Sequence, residues 1–385
     1  MVVQRDHAGT ILIAGGGIGG LASAIALQQR GFPVLVCERA PELCEVGAGL
    51  LLSPNAVPVL RLLGLEDAAT ARSRVIEEWR ILDGRGRLLH CMRPARGGSP
   101  ALSLHRSDLQ FLLLSRLDPA VLRLGFEVAR HKQTADGVEL TAGSGESIHG
   151  SILVGADGLH SRVRAGLHGD QAPRPCGYVG WRCVVPWIPA GYAGGWLSES
   201  WGEGKRFGIS PLGGNRCYWY ATANQPPRAP DSSAPNPREE LLGLFRHWHA
   251  PIADLIAATP AETILRTDIY DRPALAAWTH GRVTLLGDAA HPMSPNLGQG
   301  ACTALEDAWI LARELAAGPS WPEGLQRYER RRRPRTAWIN HASRFLGRAI
   351  QLENPAATTA RDWVLRLTPG ACSEWSMRPL FRFQD

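Results

Sequence analysis

Three short segments carry residue types at spacings that can do chemistry. The first is Gly15-Gly16-Gly17-Ile18-Gly19-Gly20, which holds G-x-G-x-x-G at 15, 17 and 20. It follows the apolar Ile11–Ala14 and opens a helix-like run. Gly15 permits a tight turn, Gly17 lets backbone approach a pyrophosphate, and Gly20 lets helix and strand pack closely. Glu38 ends the next apolar run, 18 residues after Gly20. Its carboxylate suits ribose hydroxyls and repels a 2′-phosphate. Ile18, Gly19 and Arg39 belong to the same cofactor-facing set. These residues predict a bound dinucleotide and do not separate FAD from NAD.

The second segment is Gly155-Ala156-Asp157-Gly158, an acid and a glycine after the apolar Ile152–Val154. The third repeats that logic far along the chain. Asp288 follows the apolar 283–286, and Gly298 and Gly300 precede a long helical pattern. Free N–H groups at a helix start favour an anionic partner, such as the N1–C2=O edge of a reduced flavin.

The elements that must position these segments read as follows. "ILIAG", the glycine run and "FPVLVCER" form a βαβ unit with a parallel sheet. Residues 106–117 read as a helix with Ser107 as cap. Residues 120–143 read as strand, turn and strand, with Asp136-Gly137 at the turn. From about 173 to 230, Trp, Tyr, Gly and Pro are dense, which predicts short antiparallel strands with tight turns. "QPPRAPDSSAPNPREE" reads as a polar surface loop. Helical patterns then cover 298–316, 322–348 and 356–367. The expected fold class is α/β (α+β): a Rossmann-like domain from 1–72, 100–172 and 270–350, with an inserted mixed or antiparallel-sheet domain from 73–99 and 173–269. Residues 351–385 form a C-terminal helical segment.

Composition narrows the function classes. The chain has 385 residues and a net charge of +6. No aromatic-basic repeat accompanies the charge, so anionic cofactors are the expected partners and nucleic acid is not. Eight scattered cysteines without CxxC predict reduced thiols and a cytoplasmic setting. No signal peptide or transmembrane run is expected, and the twelve histidines show no metal spacing.

Taken together, the motifs resemble the single-component (group A) flavoprotein monooxygenases, the class of salicylate and para-hydroxybenzoate hydroxylases. The matching pieces are the glycine fingerprint, "EVGAG" at Glu45–Gly49, Asp157-Gly158, Gly287-Asp288 and "YERRRRPR" at Tyr328–Arg335. The resemblance spans about 11 to 350 and implies FAD, NADH or NADPH, O2 and a small aromatic or heteroaromatic substrate, in a monomer or homodimer. It implies reduction of the flavin, a C4a-hydroperoxide and hydroxylation; epoxidation of an alkene or quinolone-like ring, or a non-oxygenating FAD protein, are the rivals. It implies that Gly49 belongs to the cofactor site and that Arg106 reaches the FAD phosphates. Asp157 and Gly158 would serve both nucleotides, since no second fingerprint exists to hold the donor. Asp288 would bind the ribitol chain, while Pro292, Pro295, Gly298, Gly300 and Ala301 line the ring. Asn296 departs from the apolar residue common in relatives, which alters the pocket above the ring.

Two stretches, "GEGKRFGISP" and "CYWYA", resemble the substrate-facing strands of the flavin-dependent urate hydroxylase. The matching positions, Arg206 and Tyr218, are the catalytic candidates. The tryptophans at 181, 187, 196, 201 and 219 read mainly as core. The arginines at 330–333 and 335 read as a solvated helix face with weak attraction for donor phosphates. His291 reads as positional.

Overall fold

The computed structural model describes residues 9–43, 48–94, 98–228 and 236–385. Glu45–Gly47 of the "EVGAG" motif and residues 229–235 of the Pro-rich loop lie outside the described residues.

Five parallel strands run in the order Val283–Leu285, Ile152–Gly155, Ile11–Ala14, Val34–Glu38 and Leu122–Leu124. Ile11–Ala14 is fully buried, as a strand covered on both faces must be. The Ile18–Gln28 helix packs on the Gly300–Ala316 helix against this sheet. The three chemical segments therefore leave the same edge of three adjacent strands. A doubly wound sheet binds ligands outside the carboxyl ends of its strands, and this topology brings residues 15, 157 and 288 there.

A second sheet has seven strands, ordered Leu265–Asp271, Arg174–Val185, Arg216–Ala223, Lys205–Leu212, Trp196–Trp201, Glu78–Asp83 and Leu88–Met92. Every pair is antiparallel except Trp196–Trp201 with Glu78–Asp83. One face is apolar: Trp181, Phe207, Ile209, Trp219 and Ala221 form a core with Leu241, Phe245 and Ile256. Trp181 and Trp219 are thus core, as expected. The opposite face carries Arg206, Gly208, Ser210, Tyr218, Tyr220 and Glu199, which stand beside one another in register.

Three expectations need correction. The residue 106 helix runs Arg106–Leu114, and its cap is His105, whose ring accepts the Ser107 N–H at 3.2 Å. The helix near 298 begins at Gly300, because Gly298 takes a left-handed turn with φ 62°. Two helices, Pro355–Leu367 and Gly370–Phe381, make up the expected C-terminal helical segment. Finally, Arg332 and Arg335 are not solvated. On the 30-residue helix Trp321–Ile350 they face inward onto Glu306 and Asp307. Arg330 and Arg331 remain exposed. Among the described residues, the seven cysteines are free, and no helix is long and apolar enough to cross a membrane.

Candidate active site

A groove of about 520 Å3 opens at the carboxyl edge of the parallel sheet, lined in part by Gly15, Gly17, Glu38, Arg39, Arg106 and Asp157. The distant segments meet here by direct packing. Gly15 has φ 106°, and a Cβ on it would lie 2.4 Å from the Ala156 carbonyl oxygen. Gly17 caps the Ile18–Gln28 helix without any side-chain bond, and a Cβ on it would meet nothing within 4 Å. The helix start thus presents free N–H groups to open space, an arrangement that suits a phosphate. Gly19 and Gly20 are packing glycines: their Cβ positions fall on Leu286 and on the Gly15 carbonyl. Ile18 is buried.

Glu38 is held before any ligand arrives. Its two oxygens accept the Gly16 N–H at 2.7 Å and the Ala40 N–H at 2.9 Å. Each keeps a second lone pair for a hydroxyl. Arg39 is exposed at the rim.

Asp157 divides its oxygens between two tasks. Oδ2 accepts the Arg162 and Val163 N–H groups at 2.8 and 3.1 Å, which starts the Arg162–His168 helix. Oδ1 is buried with no hydrogen-bond partner, on a residue that lines the groove. Burial raises this carboxyl above its usual range, against the opposing bonds from Ser161 and the backbone. Gly158 has φ 77° and open space around it. Arg164, which the motif reading missed, ties this turn to the Asp288 loop through the Ala289 and Ala290 carbonyls at 3.2 and 3.3 Å. We expect Asp157→Asn to keep the helix start and Asp157→Ala to lose it, costing about 1–2 kcal/mol. Thermal melts of both variants, with anaerobic reduction rates, separate the two tasks. Equal melting of both variants would remove the helix-start role.

Asp288 is exposed. The protein walls around it raise its carboxyl, while His291 and Arg106 pull it back. A Cβ on Gly300 would lie 4.0 Å from Asp288 Oδ1, so the carboxylate stands at the start of the Gly300–Ala316 helix. That helix also lacks a side-chain cap. Pro295 and Ala301 are accessible here, while Pro292 is buried and its carbonyl accepts Asn340 Nδ2 at 2.9 Å. Arg106 donates its backbone N–H to Ala48, which ties the residue 106 helix to the end of "EVGAG".

The loop from 287 to 297 is braced from behind. His291 Nε2 lies 2.5 Å from Asp307 Oδ2, which also accepts the Gly287 N–H at 3.2 Å. His291 is therefore positional, as expected. Asn296 is buried and bonded to the Tyr178 hydroxyl, the Ser294 hydroxyl and the Ser343 carbonyl at 3.0–3.1 Å. Its polarity joins the loop to the seven-stranded sheet and the long helix. A Cβ on Gly347 would reach Asn296 Nδ2 at 2.3 Å, so that glycine makes room for it.

The seven-stranded sheet touches this loop through Tyr178, which meets Asn296. Tyr218 lies flat on Gly49, where a Cβ would come within 2.3 Å of the ring. Burial pushes its phenol up to about 12, against the pull of Arg182 and Arg206. Arg206 is 2% exposed and pairs with Glu199 at 3.6 Å. Burial opposes its charge, but Glu199 and the hydroxyls of Tyr220, Tyr178 and Tyr218 outweigh that and raise it. Glu199 also accepts from Tyr220 Oη and, at 2.8 Å, from Trp201 Nε1. Glu199 and Tyr220 were not anticipated. The alternation Arg206, Gly208, Ser210 against Phe207 and Ile209 was a usable signal, because it marks which strand face is polar.

A parallel sheet with three glycine-and-acid turns on one edge, joined at the Asp288 loop to a second, antiparallel-rich sheet, is the arrangement of a dinucleotide-dependent oxidoreductase. The model of the FAD binding domain family matches residues 9–343, and the chain belongs to that family. It is 42% identical to the aurachin C monooxygenase/isomerase of Stigmatella aurantiaca, covering 93% of this chain and 94% of that one. It is 36% identical to the 3-amino-4-hydroxybenzoate 2-monooxygenase of Streptomyces cremeus, over 95% and 93%. Klebsiella pneumoniae HpxO, solved with FAD and uric acid, superposes with a TM-score of 0.90 at 30% identity, over 97% of each chain. The uncapped helix start at Gly17, the space beside it and the orphaned Asp157 Oδ1 fit FAD.

Proposed function

We propose that the protein is an NAD(P)H-consuming, FAD-dependent monooxygenase that places one atom of O2 on an aromatic or heteroaromatic ring. The carrying observation is the buried polar face of Arg206, Tyr218, Tyr220 and Glu199, whose sheet meets Gly49 through Tyr218 and the 287–297 loop through the Tyr178–Asn296 bond. Bound FAD would supply hydride acceptance and oxygen activation. The chain's residues supply the rest. The uncapped start of the Gly300–Ala316 helix stabilises negative charge beside it. Tyr218, protonated across the neutral range, donates to a ring oxygen or nitrogen. Arg206 keeps its charge and favours the ionised form of a phenol or ring amide, which is the more reactive form. Glu199 offsets part of that charge, which suits a weakly acidic ring better than a strong carboxylate. The buried walls exclude water. The electron donor enters beside Asp157 and Gly158, since no second nucleotide fold is present among the described residues.

A second reading, oxygenation followed by ring rearrangement, is favoured by the similarity to the aurachin C monooxygenase/isomerase. The test is stimulation of NADH and NADPH oxidation by a panel of phenols and quinolones, with products analysed by mass and NMR. A product gaining one oxygen supports the reading; FAD-loaded protein that consumes donor and O2 with none of the panel sinks it. Arg206→Ala and Tyr218→Phe are expected to retain FAD. They should lose about 1–3 kcal/mol of substrate interaction, roughly 5- to 150-fold, or divert donor oxidation to H2O2. Wild-type coupling and affinity in both variants would return these residues to a plain sheet role.

A further inference from the structure

The Pro355–Leu367 helix is amphipathic with its apolar stripe outward. Ala356, Ala360, Trp363, Val364 and Leu367 recur at helical spacing and are exposed. Trp363 is 56% exposed, Val364 64% and Leu367 74%, with Trp375 of the next helix at 70%. The polar side turns inward, where Arg361 donates to the Ile350 carbonyl at 3.0 Å. Leu88, 54% exposed, shares a recess of about 390 Å3 with Arg366, Thr368 and Gly370. The edge strand Leu88–Met92 and the turn between the two helices thus form one face. His90, 7% exposed, lines the same recess, and its Nε2 is buried with no hydrogen-bond partner.

We infer that this face docks the protein on an anionic phospholipid bilayer. Charge selects the occupant. The exposed ionic residues of the two helices are Arg366 and Arg378, with Arg382 just beyond. The acids are engaged: Asp362 pairs with Arg361 at 2.9 Å, and Glu374 accepts the Arg93 N–H at 3.2 Å. Arg366 also reaches Asp83 at 3.5 Å, which orients its head at the recess. Trp and aliphatic side chains among arginines suit the headgroup–acyl boundary, where the rings sit shallowly and guanidinium groups reach phosphate. Arg366 offers a donor to a headgroup phosphate at the recess. A second copy applied to this face would oppose arginine with arginine, and the net charge of +6 adds to that repulsion.

Flotation of the FAD-loaded protein with phosphatidylcholine vesicles, with and without phosphatidylglycerol, tests the inference. The wild type should float with the phosphatidylglycerol vesicles, and less so at high salt. Combining Trp363→Ser, Leu367→Ser and Trp375→Ser should lower binding at least about tenfold, with FAD content and far-UV spectrum unchanged. Arg366→Gln with Arg378→Gln should reduce the preference for anionic vesicles. A wild type that stays unbound, or a triple variant that floats like it, overturns the inference. A wild-type dimer that the triple variant converts to monomer, without flotation, assigns the face to a second copy and overturns it too.

Discussion

Arg332→Met is expected to lower stability by about 3–5 kcal/mol, because it removes the cation shared by two fully buried carboxylates. Arg332 is 2% exposed in its side chain, and its Nε and Nη1 lie 2.6 Å from Asp307 and Glu306, both fully buried. Arg335 lies 2.9 Å from Glu306, and Asn55 Nδ2 donates to it at 2.7 Å. Methionine fills the space and pairs with neither acid. The damage reaches the flavin loop, since Asp307 holds both His291 and the Gly287 N–H. Burial would raise the Asp307 carboxyl, but His291 and Arg332 outweigh that and hold it at about 2. A depressed carboxyl contributes stability above its unfolded value near 4 and loses it as the pH falls toward 2. With Arg332 gone the depression shrinks and this carboxyl loses less stability in acid, but the lower starting stability moves the acid-unfolding midpoint to higher pH. Urea melts at several pH values measure both effects. A variant within about 1 kcal/mol of wild type, with an unmoved acid limb, would show that the network is relieved some other way.

Gly20→Ala is expected to weaken FAD binding at least about tenfold and to cost about 1–3 kcal/mol of stability. The added Cβ would lie 1.9 Å from the Gly15 carbonyl oxygen and 3.4 Å from Ile13. A backbone oxygen inside the turn cannot rotate away, so the helix must lift from the strand. That moves the free N–H groups at Gly17 away from a phosphate. Gly17→Ala separates the two effects. Its Cβ meets no protein atom within 4 Å, and its φ of −74° suits alanine. The apoprotein should therefore melt like wild type while FAD binding is lost to the crowded approach. Fluorescence titration of FAD and melts of both apoproteins decide the matter. If Gly17→Ala retained full FAD affinity, the phosphate would not sit on this helix start.

The nucleotide half of the protein was legible because its signals are local. A parallel strand, a glycine turn and a helix start are each specified within a few residues, and the acids at 38, 157 and 288 end apolar runs that read as strands. Composition likewise marked the change from wound layers to a Trp-rich sheet. The resemblance joined these pieces to one cofactor.

Strand order, not spacing along the chain, decided that residues 15, 157 and 288 share one edge. Helix phase alone placed the arginine run around a cylinder, and only packing showed that Arg332 and Arg335 face Glu306 and Asp307. The sequence carries no local mark for Glu199 beside Arg206, or for Asn296 bridging Tyr178 and Ser343. Those contacts join residues far apart in the chain, and their energy exists only once burial removes water from both partners. Local propensity and pattern determined the elements and the nucleotide turns. The tertiary structure decided which charges are paired, which are left for a ligand, and which apolar stripe of the last helices faces outward.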